Sequence, residues 1–378
     1  MRHASVLGVL IYAGVAALAV PASRAAAQAP PAASWYPPTA SAPATQPVPA
    51  NEPPVKDLTP SGFADITPPP GSSPVEFESD FPQLGPLASN QAGFYATAEY
   101  LLLRPRSDEF DFAIVNNPSS LATTGPIEPL KAALGNGFRV EGGYRFNSGW
   151  ETGFVYTLLN AGGNRTLSAG DGGVLYPTVT RPGLTDTALF AGAHTQLNYN
   201  VYDVIFGRRW AIDDCVAVRA FGGVRFADIG RRFDVGFDGL DANLAAVRSR
   251  SGFDGFGPII GGEAVLGGCH GFHLYTRALG GLISGRSTNS LVETNNSDAT
   301  VYVNTRYDLR KVVPMASLAI GGGWQYRTIS IRGGYEITHW SGIGQPIRFV
   351  DDVSQGKIDT RPSDLSLEGF FFQFGIAF

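Results

Sequence analysis

Residues 138–158, FRVEGGYRFNSGWETGFVYTL, alternate in character on either side of a short break at Asn147-Ser148-Gly149. Successive side chains of a strand point to opposite sides. Phe138, Val140, Gly142, Tyr144 and Phe146 therefore share one face, and Arg139, Glu141, Gly143 and Arg145 share the other. After the break, Trp150, Thr152, Phe154, Tyr156 and Leu158 oppose Glu151, Gly153, Val155 and Thr157. Asn-Ser-Gly is a tight-turn sequence. The stretch reads as a β-hairpin with an aromatic face and a charged face.

Working outward, the same period predicts ten strands, near residues 94–103, 137–146, 150–159, 197–210, 215–229, 253–266, 272–283, 312–326, 329–340 and 367–378. Pro258 predicts a bulge in the sixth. The gaps between them alternate: short at 147–149, 211–214, 267–271 and 327–328, and long at 104–136, 160–196, 230–252, 284–311 and 341–366. Short turns alternating with long loops, with both ends on the short-turn side, are the plan of a transmembrane antiparallel up-and-down β-barrel with short periplasmic turns and long outer loops. Segments such as Thr300–Val303 leave twelve strands as an alternative to ten.

Composition agrees. Of 378 residues, 44% are hydrophobic and only 16% charged, with 47 glycines and 24 phenylalanines; this suits a Gly-rich β protein better than a helical one. The net charge of −5 is modest and no basic block occurs, which argues against a nucleic-acid partner. Arg2, the uncharged run Val6–Val20 and Ala25-Ala26-Ala27 predict a cleaved export signal over residues 1–27. Residues 28–90 hold 16 of the 27 prolines and predict an extended, disordered periplasmic tether, leaving residues 91–378 for the barrel.

Three features favour lipid over water outside the barrel. The signal places the chain beyond the cytoplasm. Trp150, Trp210 and Trp324 fall at short-turn ends of strands and Trp340 at a long-loop end, where an interfacial aromatic girdle needs them. Phe370, Phe372, Phe374, Ile376 and Phe378 share one face of the last strand. For the outer-membrane class, such an end implies recognition by the barrel-assembly machinery, with Phe374, Ile376 and Phe378 as its signal. The expected location is the outer membrane, with its lipid as a partner.

The other face would line the lumen. It carries Arg139, Arg145, Arg209, Arg219, Arg225, Arg277 and Arg332 against Glu99, Glu141, Glu151, Asp203, Glu263 and Glu336. Charges away from bulk water are stable only when paired, so a salt-bridged interior is one expectation. A transverse field orienting small solutes or ions is the other. The pattern R-x-x-G-G-x-R-F occurs at Arg139–Phe146 and again at Arg219–Phe226, and its glycines predict room for a long neighbouring side chain, arginine above all. Cys215 and Cys269, the only two cysteines, fall at the short-turn side of adjacent strands, which predicts a disulfide in an oxidising periplasm.

Catalysis is not expected. His194 and His339 fall near the outer side, with no G-x-S-x-G elbow. His270 and His273 flank Cys269 without a zinc spacing, so neither metal nor cofactor is expected. The leading functional reading is a porin-like barrel for passive passage of small solutes or ions. The alternative is a closed barrel serving as adhesin or structural anchor, with binding carried by loops such as 160–196 or 284–311; an outer-membrane hydrolase comes third.

The opening strand Phe94–Arg106 leading into Asp108–Ile114 resembles the first strand and loop of the Legionella major outer-membrane protein-like, pore-forming family. Gly137–Val140, Tyr199–Asp203, Phe221–Phe226, Phe253–Pro258 and Gly334–Glu336 follow in the same order. The resemblance spans residues 93–378. It implies an outer-membrane porin-like barrel without catalytic residues.

Overall fold

The computed structural model describes residues 92–116, 123–212, 215–267, 271–354, 356–359 and 361–378. The segments read as export signal and tether lie outside the described residues, as does Cys269.

The strands are β1 (Gly93–Arg106), β2 (Asp111–Asn116), β3 (Ile127–Pro129), β4 (Gly135–Arg145), β5 (Trp150–Ser168), β6 (Val174–Pro177), β7 (Phe190–Ala211), β8 (Val216–Gly239), β9 (Ala242–Gly267), β10 (Phe272–Asn295), β11 (Thr300–Tyr326), β12 (Ile329–Gly344), β13 (Arg348–Phe349), β14 (Ile358–Asp359) and β15 (Ser363–Ala377). Ten of them close into an antiparallel barrel in the order β1-β15-β12-β11-β10-β9-β8-β7-β5-β4. β15 pairs with β1 through Tyr100↔Phe372 and Leu102↔Phe370, which closes the ring at the level of these residues. The hairpin that opened the reading is β4–β5, paired Arg139↔Thr157 through Arg145↔Glu151.

All ten expected strands are present, but several are far longer than expected. Most of 230–252 and 284–311, read as loops, is strand: β8 and β9 meet at Leu240-Asp241, and β10 and β11 at Asn296–Ala299. Thr300–Val303 pairs with β10 as an extension of β11, so it adds length and no extra strand. The β8–β9 register runs through Val224↔Pro258 without a shift, so Pro258 makes no bulge there.

The outward faces explain the length. Near the turns they are greasy: Phe94, Phe138, Phe154, Val204, Phe206, Phe256, Ile260, Leu274, Leu318, Ile320, Phe370 and Phe374 are all exposed. This band ends at one polar rim formed by Arg104, Asn136, Asn160, Asn200, Asp228, Asp254, Ser284, Arg310, His339 and Glu368. On most strands it spans about 9–11 residues, the length a tilted membrane strand needs. Beyond the rim the strands run on for up to a dozen residues with polar outward faces, such as Arg232, Asp234 and Asp238 on β8.

The interior reverses in step. Within the band it is charged. Beyond the rim it is apolar: Phe233, Val235, Phe237, Val247, Leu291 and Val303 pack with Phe110, Phe112 and Leu175. Those last residues come from the 3-10 turn Asp108–Phe110 and from the small sheet β3-β2-β6, folded against the inner wall. Phe110 lies 5.6 Å from Phe233, ring to ring. Each zone thus hides its apolar side from water, in lipid below the rim and in a packed core above it.

Candidate functional site

The site is the barrel interior at membrane level. All thirteen charged residues expected there point inward, and the most accessible, Arg139, is only 14% exposed. Their alternation with lipid-facing residues on the same strands is what aims them.

They form linked clusters. Glu336 on β12 accepts from Arg139 Nη1 and Nη2 (2.8 and 2.7 Å) and from Arg277 Nη2 (2.8 Å). Glu99 on β1 holds the same two arginines, at 2.5 Å from Arg139 and 3.1 Å from Arg277, and accepts from Gln373 at 2.9 Å. β10 and β1 are four strands apart in a ring of ten, so Arg277–Glu99 reaches across most of the lumen. Lower down, Arg219 pairs with Glu141 (2.8 Å), Glu263 (3.3 Å) and Glu151. Glu151 also takes Arg145 at 3.5 Å and Arg209 at 3.9 Å. Arg225 grips Asp203 with two parallel bonds of 2.7 Å. Arg332 stacks over the Tyr275 ring at 4.5 Å.

The space left between these groups is small. A cavity of about 50 Å³ lies among Arg139, Glu141, Asp203, Arg219, Arg225 and Arg277, room for only a few waters. Above it, Tyr199 on β7 meets Trp340 on β12, ring centroids 6.2 Å apart. Those strands are five apart, diametrically opposite, so the two side chains span the lumen.

Trp340 corrects an expectation. It is completely buried in the interior and belongs to no girdle; alternation on β12 puts it on the side of Glu336 and Thr338. Trp150, Trp210 and Trp324 do point outward at the turn end, 37–41% exposed. Phe374, Ile376 and Phe378 share the outward face of the last strand. In the first copy of the repeated motif, Gly143 admits a tyrosine where arginine was expected; in the second, Gly223 faces the Val204 carbonyl instead. A Cβ at Gly143 would lie 2.5 Å from Tyr95 Oη, whose hydroxyl joins Glu141 (3.2 Å) and Arg219 (3.3 Å).

Cys215 is exposed at the start of β8. Its carbonyl accepts from Gly267 N–H at 2.5 Å, two residues before Cys269.

One buried acid was missed. Glu293, in the core beyond the rim, is 0% exposed and accepts from Arg181 N–H at 2.8 Å. Burial, with Asp186 also nearby, outweighs the lowering by Arg181 and pushes its carboxyl up to about 7. Glu293 lies in 284–311, where the sequence pattern predicts a loop and alternation gives no direction for the side chain.

A family model described as Legionella pneumophila major outer membrane protein precursor matches residues 87–378. The chain belongs to this family. The protein is therefore an outer-membrane β-barrel, in keeping with the greasy outward band and the closed ten-strand sheet. No curated protein matches it. Among solved structures, the outer membrane protease OmpT of Escherichia coli aligns at TM-score 0.45 and 11% identity, over 76% of this chain and 96% of that one. A Pseudomonas aeruginosa FadL homologue aligns at 0.24 and 7% (76% and 90% covered), and the P. putida toluene transporter TodX at 0.24 and 8% (75% and 89%). None of these carries an argument about what this member of the family does.

Proposed function

We propose that this family member is a closed barrel in its ground state, an outer-membrane anchor that holds a folded β-walled head outside the bilayer as a binding surface. The contact between Tyr199 and Trp340 from opposite walls carries the reading. The cross-lumen pairs of Arg139 and Arg277 with Glu99 and Glu336 support it from below, and the Phe112–Leu175–Phe237 core supports it from above. By the usual plan of such barrels, the end away from the short turns faces outward. The binding surface is then the polar wall of β8–β11 rather than long loops.

The passive-pore reading is second. What favours it is sharing: Arg219 serves three carboxylates and Glu151 serves three arginines. Alternative pairings of such a set differ little in energy, so exchange among them could open a path for small ions. Purified full-length protein in a planar bilayer separates the two. The closed-barrel reading expects insertion without sustained current. Discrete, long-lived conductance steps from the wild-type chain would sink it and favour the pore.

We also propose that Cys215 and Cys269 are joined. The adjacency of Cys215 to Gly267 on the neighbouring strand supports this.

A further inference from the structure

The rim of the lipid-facing surface holds a constellation that neither reading uses. His339 and Ser366 are cross-strand partners on β12 and β15, both on the outward face. His339 Nδ1 lies 2.9 Å from Ser366 Oγ. On the opposite edge of the ring, His339 Nε2 lies 3.5 Å from Asp364 Oδ2. The other oxygen of Asp364 accepts from Gly342 N–H at 2.6 Å, which fixes the carboxylate against the imidazole. Arg106 on β1 is the partner of Ser366 on its other side, and its guanidinium pairs with Glu368. Hydroxyl, imidazole and carboxylate are thus in line, with a guanidinium-bearing residue at the flank.

Directly below this group, toward the bilayer centre, the lipid face is scooped out. A groove of about 540 Å³ runs from His339 between Leu318, Ile337 and Ile260, floored by Gly262, Ala278, Gly280 and Ala316. Ala316 is the β11 partner of His339, so the groove opens at the imidazole. Around β4–β7, by contrast, the same face bears Phe138, Phe154, Tyr156, Tyr202 and Phe206. In a membrane-spanning barrel, what fills such a groove is the acyl chain of a neighbouring lipid. Its ester then lies at rim height.

We propose that Ser366, His339 and Asp364 form an interfacial esterase site that cleaves long-chain acyl esters of membrane lipids, with the acyl chain in the groove. Asp364 holds the imidazole as the tautomer protonated on Nε2, leaving Nδ1 to accept. Ser366 Oγ attacks the ester carbonyl carbon while its proton passes to His339 Nδ1. The carbonyl electron pair moves onto oxygen, giving an oxyanion on the flank of Arg106, whose exposed guanidinium would swing from Glu368 to meet it. Collapse breaks the ester C–O bond, and the departing alcohol takes the proton from His339. Water, deprotonated by the same nitrogen, then attacks the carbonyl carbon of the acyl-Ser366; collapse breaks the bond between that carbon and Oγ, Ser366 Oγ takes the proton back from His339, and the fatty acid leaves. Ser366 and His339 are the catalytic residues; Asp364 is a positioning residue.

The site was not visible as a motif because its members are brought together by strand register, not by a local elbow. The test uses full-length protein folded in micelles and a fluorophosphonate probe bearing a long alkyl chain. Wild type is expected to be labelled at Ser366, by peptide mapping. S366A and H339A lose labelling while keeping the heat-modifiable gel mobility of a folded barrel. D364N labels at least tenfold more slowly, with partial rescue by D364E. A316W, which fills the groove on a lipid-facing surface, shifts the preference from long-chain toward short-chain probe about tenfold. Fatty-acid release from phosphatidylcholine vesicles, or from vesicles containing lipopolysaccharide, identifies the source of the ester. Absence of Ser366 labelling in folded wild type, or equal labelling of H339A, would overturn the proposal. Neither result depends on whether the lumen conducts.

Discussion

Glu336 joins two arginines that reach it from strands on either side, Arg139 on β4 and Arg277 on β10. A buried ion pair gains little over a well-packed apolar substitute, but breaking one from a single side leaves an unpaired charge in a low dielectric. Glu336→Ala is therefore expected to destabilise the barrel by about 3–5 kcal/mol, read as a shift in urea unfolding in micelles. Trp340→Ala removes the ring that meets Tyr199 and leaves a cavity in the middle of the lumen; a loss of about 3–5 kcal/mol is expected in the same assay. Gly143→Ala drives a methyl into the Thr152 carbonyl oxygen and the Tyr95 hydroxyl. The strain should amount to about 1–3 kcal/mol, and Tyr95→Phe in the same chain should not relieve it, because the Tyr95 ring carbon Cζ is also only 2.6 Å away.

At the scale of elements, β8 shows why long loops were expected where strands stand. From Arg219 to Phe226 its charged residues sit at odd positions and point inward. From Asp228 to Asp238 they sit at even positions apart from Arg231 and point outward, while Ile229, Phe233, Val235 and Phe237 turn in. The strand continues in register through this change. A period-two pattern whose polar parity flips looks like a broken pattern, and a broken pattern predicts a loop. The physical reason is the change of solvent at the rim, from lipid to water. Cys215 precedes β8, and Cys269 comes two residues after the end of β9 in the sequence. A Cys215–Cys269 disulfide would close a loop of some 55 residues and stabilise by about 4 kcal/mol in the chain-entropy model. Non-reducing mass spectrometry should find the linked peptides; two free thiols in protein isolated without reductant would refute the pairing.

Over the whole molecule, the two zones should respond differently to pH. Glu293 keeps its proton in the folded head up to about pH 7, whereas the unfolded chain loses it near the ordinary carboxylate value of 4.5. Between these values the folded state binds more protons, so stability falls as pH rises from 4.5 to 7 and is level above that. A shift of this size corresponds to about 3 kcal/mol. Thermal unfolding should show a head more stable at the acid end of this window, and Glu293→Gln should flatten the dependence. An unchanged slope in that variant would place the effect elsewhere.

By itself the sequence determined the class, the ten membrane strands, the inward direction of all thirteen lumen charges and the outward direction of Trp150, Trp210 and Trp324. Each of these follows from local alternation, which a single strand carries in its own residues. Only the tertiary structure decided which charges meet across the lumen, that Trp340 meets Tyr199 at its centre, that the outer walls enclose an apolar core, and that His339, Asp364 and Ser366 converge at the rim. Those outcomes depend on register between strands far apart in the chain and on closure of the sheet. Neither can be read from one strand, because side-chain period says which way a residue points but not what faces it.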